Sequence, residues 1–190
     1  MTSEVEIYNL ALSHIGITVP VASPTEKSNE AKQCRLHFAH AVRALQNFPY
    51  DFLKTTRSLA MIGHGENGDH VYDLPRDMIR LIKLASTIDD NSLPVHDYAL
   101  RGGQLHCKIS PAYLTYTKPV LDSSLFPPSF IDALSWELAA RICFPLTKDQ
   151  KLRQETFQIA QMRQPKAEEI NANNEIDSWD LPANHLEARS

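Results

Sequence analysis

Apolar positions near the N-terminus recur at helical spacing: Val5, Ile7, Leu10, Ala11 and Ile15 step by threes and fours up to Gly16, a residue suited to ending a helix. Ser3 and Glu6 form the capping pair expected at its start. After a loop over residues 17–27, punctuated by Pro20 and Pro24, the period returns in Ala31, Cys34, Phe38, Ala41 or Val42, and Leu45. This predicts a second, longer helix over 28–47. Pro49 disfavours helical backbone at Phe48 and should end it there.

From about residue 57 to 117 the period shortens. Six β-prone runs, at 58–62, 71–74, 80–86, 93–98, 105–109 and 113–116, alternate with turn-rich segments at 63–68, 89–92 and 101–104. Connectors this short cannot carry parallel crossovers, so the runs predict a small antiparallel sheet. Pro127, Pro128 and Ser129 then open a helix over 130–146 in which Phe130, Ile131, Leu134, Trp136, Leu138, Ala139, Ile142 and Phe144 leave few polar positions, the mark of a buried helix. A more polar helix follows, with Leu152, Thr156, Ile159 or Ala160, Arg163, Ala167 and Ile170 in register. Pro165 should either kink it or start a new helix whose first turn holds Glu168 and Glu169.

The expected fold class is therefore α+β: mainly an α-helical bundle of the N- and C-terminal helices (1–56 and 127–175), with a small antiparallel β insertion (57–117), a linker (118–126) and a flexible tail (176–190).

Composition narrows the function classes. The chain has 190 residues, 43% hydrophobic and 22% charged, an ordinary globular balance. Nineteen basic against 23 acidic residues leave a net charge of −4, which removes any chain-wide attraction to nucleic acid or anionic lipid. The start, with Glu4 and Glu6, lacks the basic region of a signal peptide, and no apolar run is long enough to span a membrane. These features predict a chain made in a cytoplasm, with no membrane partner. Cys34, Cys107 and Cys143 are odd in number and widely spaced, which favours buried thiols over a disulfide framework.

No convergent catalytic set emerges. His37 and His40, one turn apart, could share a metal, but they flank the apolar stripe. His106 and Cys107 are neighbours on a strand and so point to opposite faces. The glycine- and acid-rich segment from Gly63 to His70 lacks the ligand alternation of an EF-hand and reads as a wide hairpin turn. Arg101-Gly102-Gly103 has no following Lys-Ser/Thr and reads as a tight turn, not a P-loop. The carboxylate pairs Asp132/Glu137, Asp89/Asp90 and Glu168/Glu169 do not face each other across a cleft. The expectation is a non-enzyme without cofactor or metal.

Several strings together resemble the tail tubular protein A family, the adaptor or gatekeeper ring of T7-like podophages, and its head-tail connector relatives. They are Ala11-Leu12-Ser13-His14-Ile15-Gly16; Glu26-Lys27-Ser28-Asn29-Glu30-Ala31 leading to Cys34; Phe48-Pro49-Tyr50-Asp51-Phe52; Tyr72-Asp73-Leu74-Pro75; Leu100-Arg101-Gly102-Gly103-Gln104-Leu105; and Phe126-Pro127-Pro128 running on to Ala133-Leu134-Ser135-Trp136-Glu137-Leu138-Ala139-Ala140. The likeness spans roughly residues 3–176. It implies a structural subunit at the virion head-to-tail junction, in a ring of its own copies, expected as a dodecamer. The implied partners are the portal protein above, a tail nozzle like tail tubular protein B below, and genomic DNA passing through the lumen without specific binding. Tyr50 stands where the family often carries tryptophan, Pro165 interrupts a helix expected to run long, and nothing after Trp179 shares the likeness.

The polar tail carries the interface candidates Ile176, Trp179, Leu181 and Pro182, and is expected to order against the portal or a neighbouring subunit. Two other readings stand beside the adaptor: a tail-associated polysaccharide-degrading enzyme, which would need facing carboxylates, and a small nucleic-acid-binding module, which would need a basic helix face.

Overall fold

The computed structural model describes residues 3–65, 67–89 and 93–176, with side chains through residue 164. It divides into two compact units. One holds Glu4–Phe38 and the chain from Pro127 onward; the other holds Ala39–Phe126 with Ser3.

The helical unit contains α1 (Glu4–His14), the first half of α2 (Asn29–Gln46), α3 (Pro128–Thr147) and α4 (Gln150–Ile176). Helix α1 buries Ile7, Tyr8, Ala11 and Leu12, whereas Leu10, expected on the stripe, is 42% exposed. It ends as Gly16 demands: with φ of +78°, Gly16 donates to the Ser13 carbonyl and Ile17 to the Leu12 carbonyl. That bond pair is the Schellman closure, which a residue with a Cβ would strain. In α2 the expected stripe of Ala31, Cys34, Phe38, Ala41, Val42 and Leu45 is buried, and Ser28 caps the helix by accepting from Ala31 N–H.

Pro127 caps α3 and Pro128 occupies its first turn, where a missing N–H costs nothing. Nine of its residues are buried, including Phe130, Leu134, Leu138 and Ile142, and it packs on α1 and α4. Phe144, read as part of the buried run, is 40% exposed. Lys148 ends α3 with φ of 59°, and Asp149 then accepts from Lys151 and Leu152 N–H to open α4. Helix α4 continues through Pro165 to Ile176, so the expected interruption does not break the element.

The β unit corrects the expected fold class. In place of a helical bundle carrying one small sheet, the described chain pairs four α-helices with seven strands in two antiparallel sheets. The strands are β1 (Lys54–Ser58), β2 (Met61–His64), β3 (His70–Asp73), β4 (Arg80–Ala85), β5 (Tyr98–Arg101), β6 (Gln104–Cys107) and β7 (Tyr113–Thr117). One sheet has the order β1-β7-β4 and the other β2-β3-β6-β5. They enclose a core of Leu59, Tyr72, Leu84, Leu105, Cys107, Ala112, Leu114 and Tyr116. With roughly 1.5–3 kcal/mol gained per fully buried large side chain, this is a core in its own right and not an appendage.

Three strand assignments shift for physical reasons. Strand β1 is an edge strand with half-buried or exposed side chains, so it carries no apolar alternation; its β-branched Thr56 bonds Thr115 across the ladder at 2.9 Å. The run at 58–62 is split, because β1 ends at Ser58, Leu59 N–H donates to Ala112, and β2 begins in the other sheet at Met61. Of the run at 93–98 only Tyr98 belongs to a strand; Pro94 has no N–H, Leu93 is 86% exposed, and Val95 is tied to β4 by its N–H, which donates to the Leu84 carbonyl.

Candidate functional site

Helices α1 and α3 bring together His14, Ser135 and Trp136. His14 lies flat on the Trp136 ring, centroids 3.8 Å apart and planes 9° from parallel. His14 Nε2 is 2.9 Å from Ser135 Oγ, across 121 residues of sequence. A serine hydroxyl at this distance from an imidazole is the pairing used by nucleophilic hydrolases. Ser135 Oγ–H donates to the Asp132 carbonyl at 2.8 Å, as a helical serine does; with that bond made, the His14 tautomer that carries its proton on Nε2 donates to Ser135. Ser135 is also only 1% exposed. Burial pushes the His14 pKa below its usual 6.5, with Asp132 acting to raise it and Arg163 to lower it. The trio is an interhelical lock, and sequence reading missed it because none of its members forms a local pattern.

Two ion pairs extend this polar layer. Arg163 donates to Asp132 Oδ2 at 2.8 Å. Glu137, 9% exposed, accepts from Arg141 Nε at 2.8 Å and from Gln164 Nε2 at 3.3 Å. The two carboxylates weighed as an acid/base pair are thus each committed to a cation.

Beside Glu137, α3 and α4 leave an open cleft of about 690 Å³, lined by His37, Ala140, Arg141, Phe144, Pro145, Gln150, Arg153, Gln154 and Phe157. Phe157 is 52% exposed, and the charges of Lys148 and Arg153 each lie 5.9 Å from the Phe144 ring centroid. An aromatic surface flanked by cations is suited to holding an apolar group with acidic neighbours. Of the histidine pair considered for a metal, His37 lines this cleft and His40 is exposed.

In the β unit, the outer face of β2-β3-β6-β5 carries a polar depression of about 580 Å³ lined by Val71, Gln104, His106, Arg101, Asn67 and Asp69 among others. The register puts His106 opposite Val71 and Ala99, while Cys107 lies opposite His70 and Tyr98 and turns inward. The two do not form a thiol–base pair. Of the Gly63-to-His70 segment, Gly63 and His64 end β2 and His70 begins β3; between them Gly65 N–H donates to the Asp69 carbonyl at 2.8 Å and Gly68 has φ of 73°. Gly102 and Gly103, with φ of 58° and 82°, make the two-residue β5–β6 turn, whose paired positive φ values are those of a type I′ hairpin.

All three cysteines are buried and none is in a disulfide, and burial pushes the Cys34 thiol up to about 12, out of reach as a nucleophile near neutral pH. Among the described residues no group of three or more His, Cys, Asp or Glu side chains is placed to hold a metal ion, and no helix is long and apolar enough to cross a membrane. Of the interface candidates, Ile176 is the last residue of α4, and Trp179, Leu181 and Pro182 lie outside the described residues, as does the expected partner-dependent ordering of the tail. No protein-family model matches the chain, and no curated protein matches it.

Proposed function

We propose that this chain is a structural adaptor of a short-tailed phage, a ring-forming subunit between portal and tail nozzle that works by binding and not by catalysis. The observation that supports this reading is how the resembling strings pair in the fold. His14, from the first string, bonds Ser135 and stacks on Trp136, from the last. Tyr72 and Asp73 lie opposite Leu105 and Gln104, and Leu74 N–H donates to the Gly103 carbonyl, so two further strings share one corner of a sheet. Phe52 packs edge-on to Phe126, with centroids 6.0 Å apart. Positions scattered along the sequence thus serve as mutual packing partners, the behaviour expected of residues that define a scaffold.

The cleft between α3 and α4, with its half-exposed phenylalanine, suits protein contact better than turnover of a small substrate. The test is co-expression with the portal protein of the same virus, followed by electron microscopy of the purified assembly. A ring of this chain beneath the portal is the expected image. Portal particles free of the chain at micromolar concentrations would refute the adaptor reading.

A further inference from the structure

The cleft between α3 and α4 offers Phe144 and Phe157 as an apolar floor and Arg153 at its rim, with Lys148 also over the Phe144 ring. Its one lining carboxylate, Glu137, is already held by Arg141. The sequence that follows α4 reads Asp177-Ser178-Trp179-Asp180-Leu181, a large aromatic side chain flanked by two carboxylates. The two chemistries are complementary: indole on phenylalanine and guanidinium, carboxylate on arginine and lysine.

Reach decides whose cleft is filled. Phe157 lies 19 residues before the end of α4 at Ile176, about 28 Å along a helix rising ~1.5 Å per residue. Three further residues to Trp179 span at most about 11 Å. Trp179 therefore falls well short of the cleft of its own chain. We infer that the Trp179 segment of one copy seats in the α3–α4 cleft of a second copy, with Trp179 against Phe144 and Phe157 and its acidic neighbours on Arg153 and Lys148. The contact is heterologous, a tail on one copy meeting a groove on the next, which is the geometry that propagates or closes into a ring. It requires only a second copy of this chain and stands or falls independently of portal binding.

The test uses the full-length chain with p-benzoylphenylalanine in place of Trp179, mixed with isotopically labelled chains of the same kind and irradiated. The expected product joins position 179 of one isotopic form to residues 140–157 of the other. Phe157→Glu, a substitution at a half-exposed position, should abolish it while the helical circular dichroism is retained. By sedimentation, Trp179→Ala, Phe157→Glu and Arg153→Glu should each weaken self-association at least tenfold. Cross-links confined to a single chain, cross-links to any other surface, or a chain that remains monomeric throughout would each overturn the inference.

Discussion

The two units bury apolar surface in different ways. In the helical unit one element dominates: α3 alone supplies nine buried positions and packs on both α1 and α4. Its polar groups are matched side chain to side chain, as in His14–Ser135, Asp132–Arg163 and Glu137–Arg141. In the β unit the eight core residues are spread over β3, β4, β6, β7 and two connecting positions, Leu59 and Ala112. Backbone ladders hold this unit; of its side-chain ion pairs, Lys54–Asp51 is short at 2.8 Å and links residues three apart, whereas Lys108–Asp97, at the ends of neighbouring strands, is long and exposed. A unit organised by one helix should be most vulnerable at that helix; one organised by ladders should be most vulnerable at its central strand and turns.

The largest expected effect comes from emptying each core. Phe130→Ala, at a fully buried α3 position, should cost ~3–5 kcal/mol, and Leu114→Ala in the central strand β7 about 2–5 kcal/mol, read by urea unfolding. A much smaller loss at Phe130 would break the view that α3 organises its unit.

Next comes the contrast in polar pairing. Arg141→Ala leaves the buried Glu137 carboxylate without its cation and should cost about 1–3 kcal/mol, most of it recovered by adding Glu137→Met. Lys108→Ala, whose partner is 4.0 Å away, should lie within roughly 0.5 kcal/mol of the parent. Similar losses for the two would erase the distinction between the units.

Backbone turns give a smaller comparison. Gly102→Ala and Gly103→Ala should each cost ~1–2 kcal/mol, because both residues hold positive φ. At the end of α3 the non-glycine Lys148 holds φ of 59°, so Lys148→Gly should raise stability by about 0.5 kcal/mol. A destabilised Lys148→Gly chain would show that its place over the Phe144 ring outweighs the backbone strain.

The smallest effect is linked to pH. Burial lowers the folded-state pKa of His14 below 6.5, so the unfolded chain binds its proton first as pH falls. The contribution of neutral His14 is complete above pH 6.5 and declines on acidification until the folded form also protonates. Because Asp132 partly offsets the burial, the slope should be shallow. His14→Gln should flatten it in urea midpoints compared between pH 7.5 and 5; an unchanged slope would assign the pH response to other groups.

Within the sequence, local patterns spoke for themselves. The α2 stripe, the Gly16 stop, the prolines opening α3 and the Gly102-Gly103 turn are each determined by a few adjacent residues and the backbone angles they permit. Antiparallel strands were legible for the same reason. Tertiary structure alone decided how the strands divided: β7 joins β1 and β4, β3 joins β6, and a single apolar run at 58–62 is shared between two sheets. Alternation tells which face of a strand is buried but not which strand lies beside it. The lock of His14, Ser135 and Trp136 and the cleft beside Phe157 were invisible for a related reason. The lock arises where helices distant in sequence meet, and the cleft where two successive helices pack beside His37 of α2; no periodicity along one segment encodes the neighbour it will find.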